Sequence, residues 1–204
     1  MDADFYPRLS AVVTDIKAMN TTINRQVIVC VLIIVPCLML FCLFLPQIIS
    51  LLYTDKYHEV IPMVICATFF VFSKAVLTPV AYTSLAKGDA IMFLVIETAS
   101  AVLLALCVVG GYAALGLTGA GLGLTVSNLL EMLIIFVVYH RFYKVGLNRQ
   151  TCLVVFAELL MLSAGIALVV FVDNAIIKYG ATITLAVIAA LLCGYYCFLK
   201  KETE

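Results

Sequence analysis

Apolar positions along this chain gather into six long runs separated by short polar links. The runs lie at 27–45, 61–85, 90–114, 117–139, 152–172 and 181–199. Each is close to the ~20 residues that carry an α-helix across a bilayer. Strands of a membrane barrel would alternate apolar and polar residues. These runs are continuously apolar, so they predict helices. Two features within them predict bends. Pro36 lies inside the first run and should kink it, because proline removes a backbone donor and crowds the preceding turn. Pro46 lies at its end, so 46–53 should continue at a new angle along the interface. Gly110-Gly111 and Gly116 bracket an uncharged link that predicts a tight hairpin between the third and fourth runs.

The first 26 residues follow a different period. Leu9, Val12, Val13, Ile16, Met19 and Ile23 recur at the spacing of one helix face, and Pro7 suits the first turn of such a helix. The stretch begins with Asp2 and Asp4, unlike the basic tip and apolar core of a secretory signal. It predicts an amphipathic helix on the cytoplasmic surface or packed under a bundle. The expected organisation is therefore an amphipathic segment at 1–26, a six-helix transmembrane lobe at 27–199 and a cytoplasmic tail at 200–204.

Composition strengthens this assignment. Of 204 residues, 65% are hydrophobic and 12% charged, whereas soluble domains are roughly 45–50% apolar and about 25% charged. The fold class expected is all-α integral membrane. The formal net charge is zero, which gives no footprint for nucleic acid. Eight cysteines sit within apolar runs without C-x-x-C spacing, so they read as small buried hydrophobes rather than metal ligands.

Charge also predicts orientation. Nine cations (Arg8, Lys17, Arg25, Lys87, Arg141, Lys144, Arg149, Lys200, Lys201) fall on one side of the runs, and two (Lys56, Lys178) on the other. By the positive-inside bias both termini should be cytoplasmic. Tyrosines near run ends, including Tyr53, Tyr57, Tyr82, Tyr112, Tyr139, Tyr143, Tyr179, Tyr195 and Tyr196, are expected to form the interfacial belt in a chain without tryptophan.

Four charges lie within the runs: Lys74, Glu97, Glu131 and Glu158. Counted at 1.5 Å per residue, the glutamates lie roughly 9–12 Å from the cytoplasmic edge and Lys74 roughly 16 Å. Charge at such depth is costly by ~2.5–3.5 kcal/mol each. It points to a polar cavity in which Lys74 attracts an anionic group such as phosphate, while a glutamate balances it or carries a coupling proton. The alternative is one buried ion pair that fixes helix packing, with the shallower glutamates reaching interfacial water. Asn128 shares the face of Glu131, three residues on; it joins the glutamates as a cavity candidate, although it reads as a helix–helix hydrogen-bonding residue more than as a ligand. Gly119-x-x-x-Gly123 fits close helix packing. No phosphate-binding loop, nucleophile elbow or metalloprotease motif is present. A non-enzyme without a cofactor is therefore expected.

Four stretches in series, DFYPRLSAVVTD, LPQIISLLYTDKYHEVIPM, SLAKGDAIMFLVIE and GLTGAGLGLTVSN, carry a family resemblance. They resemble the second half of bacterial O-antigen translocases, lipid-linked oligosaccharide flippases of the multidrug/oligosaccharidyl-lipid/polysaccharide exporter superfamily. The resemblance spans most of residues 4–145. It implies one lobe of a transporter of 12–14 helices in the bacterial inner membrane, moving an undecaprenyl-pyrophosphate-linked repeat unit by alternating access. It implies that a cation facing the cleft, here Lys74, meets the pyrophosphate. The partners expected are the lipid-linked oligosaccharide, the bilayer, and a second lobe or another copy. The family's first lobe has no counterpart here, so Met1 is expected to fall at a mid-protein junction. A cation-coupled multidrug exporter of the same superfamily and a non-transporting truncated fragment are the alternatives.

Overall fold

The computed structural model describes residues 2–52, 59–172 and 174–201. Tyr53, Lys56, Tyr57 and His58 lie outside the described residues, as do the side chains of Cys193, Tyr195, Tyr196, Cys197, Lys200 and Lys201. The described chain forms α1 (Asp2–Val12), α2 (Ile16–Leu52), α3 (Ile61–Ala86), α4 (Ala90–Tyr143), α5 (Arg149–Phe171) and α6 (Ala175–Lys201). Five of these are long and apolar enough to cross a membrane.

The longest, α4, accounts for two of the six predicted spans. A straight helix of 54 residues would run ~80 Å, far beyond a hydrocarbon core of ~30 Å. It folds back at Gly116, which has φ 64° and ψ −142°, a conformation open to glycine alone. The arms at 90–115 and 117–143 then lie antiparallel. Glycine permits their close approach. A Cβ on Gly119 would collide with the Gly111 carbonyl, and one on Gly123 with the Cys107 carbonyl. The Gly119-x-x-x-Gly123 pattern is therefore a backbone contact within one hairpin.

The amphipathic stretch divides in two. α1 ends at Val12, and the Asp15 carboxylate accepts the backbone N–H groups of Lys17 (2.8 Å) and Ala18 (3.3 Å), starting α2. The predicted face thus spans two helices, with Leu9 buried on α1 and Met19 and Ile23 buried on α2. Pro7 lies inside α1 instead of at its first turn. α1 packs against α2 and α3, with Phe5 edge-on to Tyr82 at 6.4 Å. It is tucked under the bundle. α2 runs through Pro36 and Pro46 to Leu52 as one helix.

α2 is the central element. It packs on α3 at one side and on α5 and α6 at the other, while α3 packs most extensively on α4. Fourteen buried residues along α2, from Met19 to Ile49, show a helix enclosed on several faces. The outer faces of α4, α5 and α6 expose large apolar side chains, among them Leu106, Val137, Phe156 and Leu191. A helix apolar all round needs lipid on its outer face. The chain is an all-α, multi-pass membrane protein.

Candidate functional site

The hairpin of α4 turns its second arm parallel to α3, and a polar seam runs between them. Lys74 Nζ on α3 donates to Glu131 Oε1 at 2.5 Å across a sequence separation of 57 residues. Nearer the α1 end, the Tyr139 hydroxyl donates to the Ala81 carbonyl at 3.0 Å, a separation of 58, and lies 2.9 Å from the Ser84 hydroxyl. Two contacts at almost the same separation show a constant parallel register. Asn128, Glu131, Ile135 and Tyr139 are all buried along this face of α4.

The members of the ion pair are unequally buried. The Glu131 side chain is 6% exposed and that of Lys74 34%. Lys74 Nζ lies 5.7 Å from the centre of the Phe70 ring. Lys74 also lines a cleft of about 300 Å³ walled by α1, α2 and α3, with Phe5, Gln26, Cys30, Thr78 and Tyr82. One buried carboxylate thus anchors a cation that remains open to a cleft.

The other sequence candidates do not join this pair. Glu97, half-buried on the first arm of α4, makes no hydrogen bond or ion pair among the described residues. Glu158 is 2% exposed on the face of α5 that also buries Leu162 and Ile166. Its Oε2 has no hydrogen-bond partner among the described residues, so Glu158 does not reach interfacial water. Asn128 lies one turn before Glu131, but its Oδ1 is buried without a partner among the described residues. The expected interhelical hydrogen bond to that oxygen is not seen.

Two expectations about tyrosine are also corrected. Tyr139 is 1% exposed, and Tyr143 is buried with its hydroxyl donating to Asp89 Oδ2 at 2.6 Å. Both phenols have protein partners, which removes the need to reach the interface. Tyr112, at 60% exposure, does suit the belt. Asp89 caps α4 through the Met92 N–H, and the Tyr143 hydroxyl followed by that cap holds its carboxyl below the ordinary value.

Sequence reasoning missed Gln26, Cys30 and Thr78 beside Lys74. The available signal was Thr78, one turn from Lys74 on the same face. It also missed a clamp built by Asn20 and Asn24, spaced i, i+4 on α2. Asn20 donates to the Lys144 carbonyl (3.1 Å) and accepts from the Gly146 N–H (3.1 Å). Asn24 donates to the Gly146 carbonyl (3.0 Å) and accepts from the Asn148 N–H (2.8 Å). The link between α4 and α5 is thereby fixed to the end of α2.

Comparison with known proteins adds one match. The model of a family described as polysaccharide biosynthesis protein matches residues 3–62, which take in α1 from its second residue, α2 and the first two residues of α3. No curated protein and no solved structure matches the chain. The match supports a membrane protein of a polysaccharide biosynthesis or export family, and it ends before Lys74.

Proposed function

We propose that this bundle is one lobe of a carrier that moves a lipid-linked oligosaccharide across the bacterial inner membrane by alternating access. The cargo would be an undecaprenyl-pyrophosphate-linked O-antigen or related polysaccharide repeat unit. The observation that carries the proposal is Lys74, a cation inside a membrane span, held by Glu131 and open to a cleft. Such a group attracts an anionic headgroup where water is scarce. Binding of pyrophosphate would compete with Glu131 for the ammonium, coupling cargo to the α3–α4 seam. The walls of the cleft come from α1, α2 and α3, so a second lobe or another copy would close it from the opposite side. On this proposal the protein is a carrier rather than an enzyme, with both termini cytoplasmic.

The test is complementation of a strain lacking its O-antigen flippase, using the full-length gene. Lys74→Met should abolish surface O-antigen at equal protein level, and Lys74→Arg should retain part of it. Normal export by Lys74→Met would remove Lys74 from the mechanism.

A second proposal, a cation-coupled multidrug exporter of the same superfamily, draws support from Glu158, a buried carboxyl with an unpartnered oxygen. Proton-driven efflux of organic cations that is lost in Glu158→Gln would favour it. Crosslinking in native membranes bears on both proposals, because a bundle with no second lobe cannot alternate access.

A further inference from the structure

A second cleft, separate from Lys74, lies between the second arm of α4 and α5. Its volume is about 620 Å³, within the ~300–1,000 Å³ typical of ligand-holding clefts. Val76 of α3 contributes to its lining, with Met132 and Phe136 from α4 and Val155 and Leu159 from α5. His140 and the 145–147 link also line it, marking its end on the side of the bundle that carries α1. Three cations sit within three positions of residues lining that end: Arg141 next to His140, Lys144 next to Val145 and Arg149 three before Cys152. All three are exposed and make no ion pair among the described residues. From 132 to 157 the chain has no acidic residue.

Three carboxylates are already engaged, and Glu158 lies nine residues beyond Arg149, buried on α5. Glu131 is paired with Lys74, Asp89 accepts from Tyr143 and Met92, and Asp15 caps α2. The Asn20–Asn24 clamp fixes the 144–148 backbone, so these cations are presented from an ordered link. A larger groove between the arms of α4, about 670 Å³, provides a contrast. Residues such as Leu94, Val102, Leu106 and Ile134 line it without any charged side chain. An apolar furrow with a cationic end matches a lipid that has an acyl chain and an anionic head.

We propose that the α4–α5 cleft holds an acyl chain of an anionic glycerophospholipid from the surrounding leaflet, with its phosphate at Arg141, Lys144 and Arg149. The site is distinct from the Lys74 cleft and does not depend on which cargo that cleft takes. Phosphatidylglycerol and phosphatidylcholine with identical acyl chains are titrated onto the purified full chain, with bound lipid counted by native mass spectrometry. Phosphatidylglycerol should bind in preference, and removing the cations one at a time (Arg141→Gln, Lys144→Gln, Arg149→Gln) should weaken it roughly fivefold each. Arg8→Gln, outside this cleft, should leave it unchanged. Val155→Trp, which fills the furrow and retains every cation, should also weaken phosphatidylglycerol. Equal binding of the two lipids would overturn the proposal, as would unchanged binding by the triple Gln variant. Preferential occupation by a polyprenyl phosphate in competition would overturn the assignment of a glycerophospholipid.

Discussion

Removing either member of the Lys74–Glu131 pair should have unequal consequences. Breaking a fully buried ion pair costs ~3–5 kcal/mol, because the remaining charge is stranded. In Lys74→Met the stranded group is Glu131, whose side chain is only 6% exposed. At 34% exposure the Lys74 side chain is only partly enclosed and opens to the cleft, which lowers the expected loss to about 2–3 kcal/mol. In Glu131→Gln the stranded group is the ammonium, which can extend into the cleft, so a loss of about 1 kcal/mol is expected. For a chain of this length each kcal/mol moves Tm by ~2–4 °C. Thermal unfolding in one detergent should therefore place Lys74→Met about 5–10 °C below wild type and Glu131→Gln about 2–4 °C below. The double variant Lys74→Met/Glu131→Met leaves no stranded charge and should return to within about 1 kcal/mol of wild type. If the pair also serves transport, that double variant would be stable and inactive. Equal losses in the two single variants, or no recovery in the double, would refute the unequal-burial argument.

Gly119→Val should open the α4 hairpin, since its side chain meets the Gly111 backbone; a Tm loss worth at least ~1–3 kcal/mol is expected. Gly110→Ala, where a Cβ meets nothing within 4 Å, should be nearly silent in the same measurement. Asn24→Ala removes two bonds to the α4–α5 link and should cost ~1–3 kcal/mol, with faster hydrogen exchange at the Asn148 amide. Glu158→Met removes a buried, unpartnered carboxyl oxygen and should stabilise by ~1–3 kcal/mol, read as a rise in Tm. The Asp89 carboxyl has a lowered pKa in the fold, so its contribution is fully present above the ordinary carboxylate pKa and is lost as pH falls through the folded value. Asp89→Asn should flatten that acid limb in a pH series of Tm, while an unchanged limb would exclude Asp89 as its source.

Each apolar run of the sequence falls on a helix of the structure, because the requirement for ~20 apolar residues acts on each run separately. Helix ends were less legible, since a helix does not stop where hydrocarbon stops. α2 starts at Ile16 and takes in Asn20 and Asn24, polar residues whose partners are more than 120 positions away. α6 likewise begins at Ala175, where Asn174 accepts from the Ile176 N–H at 3.1 Å. Tyr139 looked interfacial from its position at the end of a run. It is buried because Ser84 and the Ala81 carbonyl satisfy its hydroxyl. Such partners depend on tertiary packing, which local pattern does not encode.

Depth and facing direction are separate quantities, and counting along the chain supplies only depth. Lys74 and Glu131 differ in counted depth by about 4 Å, a gap that a lysine stem spans easily. Glu97 and Glu158 had similar depths, but neither joins the pair. The path of the chain makes the difference. α3 runs toward the α1 end, the first arm of α4 runs away from it, and the turn at Gly116 sends the second arm back beside α3. Residues some 57 positions apart on α3 and that second arm then meet at every turn, as Lys74–Glu131 and Ala81–Tyr139 do. Glu97 is on the arm running the opposite way, and Glu158 is on α5, which packs mainly on α2 and α6. The glycine that permits the turn therefore determines which glutamate holds the lysine, although Gly116 touches neither.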